Sequence, residues 1–211
     1  MGARDLRTRL TKRATKAGLF LSAELIEQLA GFYELLARWN LKINLTAITD
    51  LDEAIDRLLL EPLVAAKHLP SSGKLLDVGS GGGSPAIPLH LAAPQVPLTM
   101  VEVKARKAAF LREAVRALGI DADVECARYE ELLARPELHE SFAAVSVRAV
   151  RVEAKVLKTL QAFLAPSGKL ILFRGPSGPD SPSLVEPSLE FVGTYPLLDS
   201  LQSRLSVLSK R

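Results

Sequence analysis

The chain has 211 residues, 48% of them hydrophobic and 24% charged, with one cysteine and a formal net charge of +3. That composition excludes a wholly disordered chain and an intramolecular disulfide framework; the three scattered histidines make no recognisable zinc pattern. No apolar run approaches the roughly 18 residues that span a bilayer, and no apolar signal core follows the opening Met-Gly-Ala-Arg-Asp-Leu, so a cytoplasmic protein without a membrane partner is expected.

Residues 1–16 carry Arg4, Arg7, Arg9, Lys12, Arg13 and Lys16 against Asp5. This net +5 leaves −2 for the remainder. Residues 1–21 therefore form a basic N-terminal arm. It reads as a phosphate grip, a frayed solubilising terminus or an organellar transit peptide. Beyond it, Leu25, Ile26, Leu29, Phe32, Tyr33, Leu36 and Trp39 fall on one helical stripe, with Ser22 as N-cap. A second helical stretch opens at Asp50 and covers 51–68, split by Pro62. Residues 22–70 are thus a helical extension, closed by Pro70-Ser71-Ser72-Gly73.

From Lys74 the texture changes. Apolar runs at 74–78, 98–102, 123–127, 142–147 and 169–173 alternate with helical patterns at 84–92, 104–118 and 151–164. This predicts βαβ units and a parallel sheet over a core of 71–211. Cys126 falls in the third strand run and reads as a small buried hydrophobe. Residues 175–183 are a Gly/Pro/Ser loop. Strands at 189–194 and 204–208 follow with a short link, which favours antiparallel pairing.

The most informative segment is Leu75-Leu76-Asp77-Val78-Gly79-Ser80-Gly81-Gly82-Gly83-Ser84-Pro85. A buried strand runs into a glycine cluster and then a helix. Glycines let a backbone turn sharply and approach a ligand closely. The dinucleotide fingerprint needs a sixth-position glycine, and Ser84 stands there. What remains is G-x-G-x-G at Gly79, Gly81 and Gly83, a form suited to S-adenosylmethionine, which has no pyrophosphate. Glu102, at the end of the second strand run, can accept from both ribose hydroxyls. Arg128, Tyr129 and Glu130 end the third, where adenine is edged.

Further residues join this pattern: Trp39-Asn40, Asn44-Leu45-Thr46-Ala47-Ile48, Ile87-Pro88-Leu89, Arg106-Lys107, Phe110-Leu111-Arg112-Glu113 and Ser146-Val147-Arg148-Ala149-Val150. From about residue 24 onward the chain resembles the bacterial ribosomal small-subunit methyltransferase G family, also called the glucose-inhibited division protein B family. The resemblance implies an α/β, Rossmann-like class I methyltransferase with a mostly parallel seven-stranded sheet, an antiparallel C-terminal strand and an N-terminal helical extension. It implies methyl transfer from S-adenosylmethionine to N7 of a guanine in 16S ribosomal RNA, within the small subunit or its precursor, by a monomer. Asp77, Gly79, Ser80, Gly81, Gly83, Glu102, Arg128, Tyr129 and Glu130 would hold the cofactor. Arg148 would face both cofactor and acceptor, with Asn40 and Asn44 completing the catalytic set. Ala86, Val103, Val147, Tyr129 and Arg174 depart from the family's usual residues, and Tyr129 bears on the adenine pocket.

The chemistry is compatible. Methylating a pyrimidine carbon needs a cysteine nucleophile, and an exocyclic amine typically uses an Asn/Asp-Pro-Pro-Tyr/Phe element that the fourth strand lacks. Guanine N7 has an in-plane lone pair and needs only positioning. Arg148 can clamp a phosphate, bond guanine O6 or pair with a carboxylate. Asn40 and Asn44 serve either the acceptor pocket or a helix end. RNA contacts would come from the arm, from Lys104, Arg106, Lys107, Arg112 and Arg116, and from Arg148, Arg151, Lys155 and Lys158. Two other readings stay open: a methyltransferase for a small molecule or protein, and a non-catalytic nucleotide-binding regulatory module.

Overall fold

The computed structural model describes residues 3–148, 153–175 and 187–211. Ala149, Val150, Arg151 and all but Gly175 of the 175–183 loop lie outside the described residues. The helical prelude comprises α1 (Ala3–Lys16), α2 (Ala23–Asn40), α3 (Leu51–Ala54), a π-helical turn (Ile55–Leu60) and α4 (Glu61–Ala66). The sheet strands are β1 (Leu75–Val78), β2 (Leu98–Val101), β3 (Ala122–Glu125), β4 (Phe142–Arg148), β5 (Leu164–Arg174), β6 (Leu189–Pro196) and β7 (Arg204–Lys210). Helices α5 (Ala86–Ala92), α6 (Ala105–Leu118) and α7 (Ala154–Phe163) connect the parallel strands.

The strand order is β3-β2-β1-β4-β5-β7-β6. β7 inserts between β5 and β6 and is antiparallel to both; the pairing with β6 is the one that the short link predicts. Strand alternation assigns opposite faces. Leu76, Val78, Val145 and Val147 pack with α7 in one cluster. Leu75, Ala144, Ile171 and Phe173 pack with the prelude, α5 and α6 in the other. Period-2 geometry therefore turns Asp77, Ser146 and Arg148 toward the prelude. The register sets Asp77 beside Ser146 and Arg148 beside Phe173.

Ser22 caps as predicted, accepting from the backbone N–H of Leu25, and Asp50, where the second stretch opens, also caps, accepting from the N–H of Glu53. The helical run from Asp50 is not simply split at Pro62. It passes through a π-helical turn, in which the N–H of Glu61 donates to Asp56 O. An α-helical register would pair Pro62 with Leu58 O and a π-helical one with Arg57 O. Pro62 has no N–H for either. Both carbonyls accept side chains instead: Leu58 O from Ser84 Oγ and Arg57 O from Arg148 Nη1, each at 2.8 Å.

Two expectations are corrected. The basic arm is neither frayed nor free to grip phosphate along its length. It folds as α1 because Leu6, Leu10 and Ala14 recur at helical spacing and are buried. Three of its arginines find carboxylates: Arg7 with Glu27 and Glu34, Arg9 with Asp5 and Asp52, Arg13 with Asp52 and Asp56. Cys126 is exposed, not buried. β3 ends at Glu125, one residue before it.

Candidate functional site

β1 enters its loop between two neighbouring parallel strands, so the loop emerges at the carboxyl edge of the sheet, where α/β folds bind ligands. Gly79, Gly81 and Gly83 have φ of +75°, +52° and +82°, the positions that the G-x-G-x-G spacing marks. The N–H groups of Gly79 and Ser80 donate to Val101 O, and Ser80 Oγ donates to Asp77 O. A Cβ on Gly83 would lie 2.8 Å from Ile87 Cδ1 and 3.1 Å from Phe32 Cε2, so close packing also requires glycine there. A Cβ on Gly81 would meet only Gly79 O, at 3.7 Å. The space before Gly81 is open.

Two cavities flank the loop and share Gly79. One, of about 240 Å³, is walled by Val78, Val101, Glu102, Val103 and residues 127–130. Glu102 Oε2 accepts from the N–H of Gly81 at 2.9 Å and Oε1 from the N–H of Lys104 at 2.8 Å. A carboxylate offers about four lone-pair sites, so each oxygen retains capacity for a hydroxyl. Tyr129 is half-buried; burial and Glu130 push its hydroxyl above the ordinary range. Arg128 and Glu130 are exposed at the rim. Asp77 lines neither cavity. Its Oδ1 accepts from Ser146 Oγ at 2.5 Å, and its Oδ2 is buried without a partner. Burial pushes this carboxyl up, against the pull of the Ser146 and Ser80 hydrogen bonds. It holds the strand–loop junction from behind.

The second cavity, of about 300 Å³, is bounded by the loop, Leu36, Leu45, Thr46, Leu58, Lys107 and Arg148. Arg148 is indeed here, but it is already paired. Nη2 donates to Glu61 Oε2 at 2.6 Å; Nη1 donates to Arg57 O at 2.8 Å and to Ser84 Oγ at 3.1 Å. The guanidinium lies 4.6 Å from the Phe173 ring centroid. Burial pushes Arg148 below the usual guanidinium value while Glu61 pulls it back. Asn40 spends its amide on the prelude loop: Oδ1 accepts from the N–H of Leu45 and Thr46, and Nδ2 donates to Thr46 O. It shapes the cavity wall instead of facing its interior. Asn44 is exposed. A Cβ on Gly82 would lie 3.1 Å from Leu45 O, which shows how closely this prelude loop seats on the glycine loop.

Sequence reasoning did not mark Glu61, and it marked Ser84 only as the residue that breaks the dinucleotide fingerprint. The signal for Glu61 was available: one acid inside Leu58-Leu59-Leu60-Glu61-Pro62-Leu63. An acid in such an apolar run is buried and must find a partner.

Comparisons with known proteins give the family and the fold. The family model described as rRNA small subunit methyltransferase G matches residues 25–190. A Halorhodospira halophila protein named ribosomal RNA small subunit methyltransferase G is 38% identical over 167 residues, covering 79% of this chain and 77% of that protein. A relative of the same name from Syntrophotalea carbinolica is 32% identical over 173 residues, covering 82% and 80%. Among solved structures, a SAM-dependent methyltransferase from Aquifex aeolicus superposes with a TM-score of 0.56 at 13% identity, covering 74% of this chain and 92% of that one. Such a likeness speaks for the class I methyltransferase fold, and the matched sequence carries the family: the chain belongs to the rRNA small subunit methyltransferase G family.

Proposed function

We propose that this chain transfers a methyl group from S-adenosylmethionine to N7 of a guanine in 16S ribosomal RNA. The observation that carries this reading is the lining of the second cavity. Among the described residues it presents two cations and three hydroxyls, with no carboxylate, imidazole or thiol to act as general base or nucleophile. Guanine N7 needs neither. The relatives' names supply the substrate class, small-subunit ribosomal RNA.

The cofactor fits the residues present. Positive φ at three glycines and the open space before Gly81 leave room for a ligand against the backbone. When bound, S-adenosylmethionine supplies an electrophilic methyl on a sulfonium. Gly79, Ser80 and Gly81 would border it, Glu102 would accept from the ribose hydroxyls, and Tyr129 with its neighbours Arg128 and Glu130 would wall the adenine. Gly83 and Asp77 act from behind, by holding the loop. Arg148 presents its remaining N–H groups to guanine O6 or to a phosphate, leaving N7 free. Leu36, Leu45 and Leu58 exclude water, and Asn40 fixes the wall to which Leu45 belongs. The acceptor is the small subunit or its precursor, met in the cytoplasm by a monomer.

The test is transfer of labelled methyl from S-adenosylmethionine to under-methylated small subunits and to their naked RNA, with the modified base mapped. Label on one guanine N7 is expected. Label on an exocyclic amine or ring carbon, or cofactor binding without transfer, overturns the reading.

A further inference from the structure

We infer that Glu61 is a positioning residue for Arg148, fixing the direction in which the guanidinium meets the acceptor nucleotide. This rests on the reading above. Glu61 sits in the prelude and Arg148 at the end of β4, 87 residues apart. The side chain of Glu61 is only 2% exposed and that of Arg148 16%. A carboxylate in an apolar helix run is costly to bury unless its partner is well placed, and a leucine would fill that place without the cost. The sequence keeps an acid there, and the acid meets the guanidinium at 2.6 Å.

The rest of the socket points the same way. Pro62 frees the Arg57 carbonyl, which takes one Nη1 hydrogen. Ser84 takes the other while donating to Leu58 O, so the glycine loop and the prelude are tied through one hydroxyl. Phe173 closes one face of the guanidinium. Among the described residues, three of the five N–H groups of the guanidinium are thus engaged and two remain. Arg148 borders the second cavity, so the remaining donors serve an oxygen acceptor arriving there. Pairing with Glu61 has an electrostatic consequence as well. It cancels a cation beside a site that must admit a sulfonium, and leaves Lys107 as the cavity's other cation, with no carboxylate partner among the described residues.

The test is a double-mutant cycle with Glu61→Gln and Arg148→Lys, read as methyl transfer to small subunits, S-adenosylhomocysteine Kd and Tm. Glu61→Gln keeps size and an acceptor oxygen but loses the charge. It is expected to lower kcat on the order of 10²-fold, the loss that misplacement by about 1 Å produces, with Kd unchanged within about twofold. In the Arg148→Lys background the same substitution should lower kcat no further. Additive losses, a wild-type kcat, or a Kd that weakens in parallel would each overturn the inference. If Glu61→Gln does not fold, Glu61→Asp keeps the charge with a shorter reach; it should fold and lose kcat about tenfold, and a wild-type kcat counts against the inference. Nitrogen-resolved NMR of the Arg148 guanidinium separates this from the functional reading. Restricted rotation in the wild type, lost in Glu61→Gln, is expected whatever the acceptor is; unchanged signals overturn the positioning role.

Discussion

Gly81 separates backbone demand from ligand demand better than its neighbours do. Its φ of +52° disfavours any side chain, yet a Cβ would enter open space. Gly81→Val should therefore cost stability only through strain, about 1–3 kcal/mol, while filling the room before the loop. We expect calorimetry to show S-adenosylhomocysteine binding weakened at least about tenfold, with a folded protein by circular dichroism. Gly83 differs, because its Cβ would strike Ile87 and Phe32 and the loss would fall on folding. Lys107, in contrast, should act on the acceptor alone. It borders the second cavity and carries the charge that Glu61 does not cancel. Lys107→Ala should raise KM for the subunit and reduce the salt slope of binding by about 1, the signature of one lost phosphate contact. Binding of S-adenosylhomocysteine should be unchanged; if it weakens instead, Lys107 serves the cofactor.

At the scale of elements, the prelude is a working wall of the site, and α1 is its outer brace. Arg13 donates to both oxygens of Asp56, at 2.6 and 2.5 Å, and Ser200 Oγ donates to Oδ2 at 2.6 Å. One carboxylate thus ties α1, the π-helical turn and the turn before β7. Burial pushes the Asp56 carboxyl up, but the hydrogen bonds from Arg13 and Ser200 outweigh it and hold it below the ordinary value. A depressed folded value stabilises the fold above the unfolded carboxylate value, about 3.9, and that stability is lost as pH falls through the lower folded value. Arg13→Ala should cost about 2–3 kcal/mol near neutrality, since it strips the main partner from a buried charge. The difference from wild type in urea unfolding should shrink steadily below about pH 4; a difference constant with pH would remove Asp56 as the cause. Much of this level was legible in the chain itself. Period-2 and period-3.6 runs marked the strands and helices, and Ser22 and Asp50 marked helix starts, because such signals are local. The G-x-G-x-G spacing located the positive-φ glycines for the same reason. The arm's carboxylate partners lie up to 43 residues away, and Glu61 lies 87 residues from Arg148. Pairings at that separation are decided by packing, so the basic arm resembled a free tail, and a carboxylate partner for Arg148 stayed one reading of three with no residue to name. Cys126 failed for a smaller reason: a strand end shifted by one or two residues exposes what the pattern buries.

For the whole molecule, the question is how a chain of net charge +3 recognises a polyanion. Aromatic residues are only 5% of the chain, so base stacking over a broad platform is unavailable and phosphates must supply affinity. Most arginines of α1 are spent on internal carboxylates. The cations that count are those that the βαβ topology delivers to the carboxyl edge of the sheet. Lys104, Arg106 and Lys107 stand where β2 hands over to α6, and Lys155 begins α7 after β4. Lys104, Arg106 and Lys155 are exposed and Lys107 is half-buried. Arg116 is less available, since it pairs with Glu113, and Arg112 donates to Val124 O. Four such contacts to single-stranded RNA, at about −0.7 each, predict a slope near −3 in log affinity against log salt. Deleting residues 1–16 does not test this, because it removes Leu6, Leu10 and Ala14 from the core and strands Asp56, so the expected result is loss of fold. Substituting Lys104, Arg106 and Lys155 together by alanine leaves the core untouched. It should bring the slope close to −1 with Tm preserved, by filter binding between 50 and 200 mM salt. Because a sparse ring of cations reads shape better than sequence, the folded subunit should also be methylated faster than naked RNA. A wild-type slope near zero would favour a small-molecule acceptor, and equal rates on subunit and naked RNA would mean that the ring reads local sequence or charge and not the assembled shape.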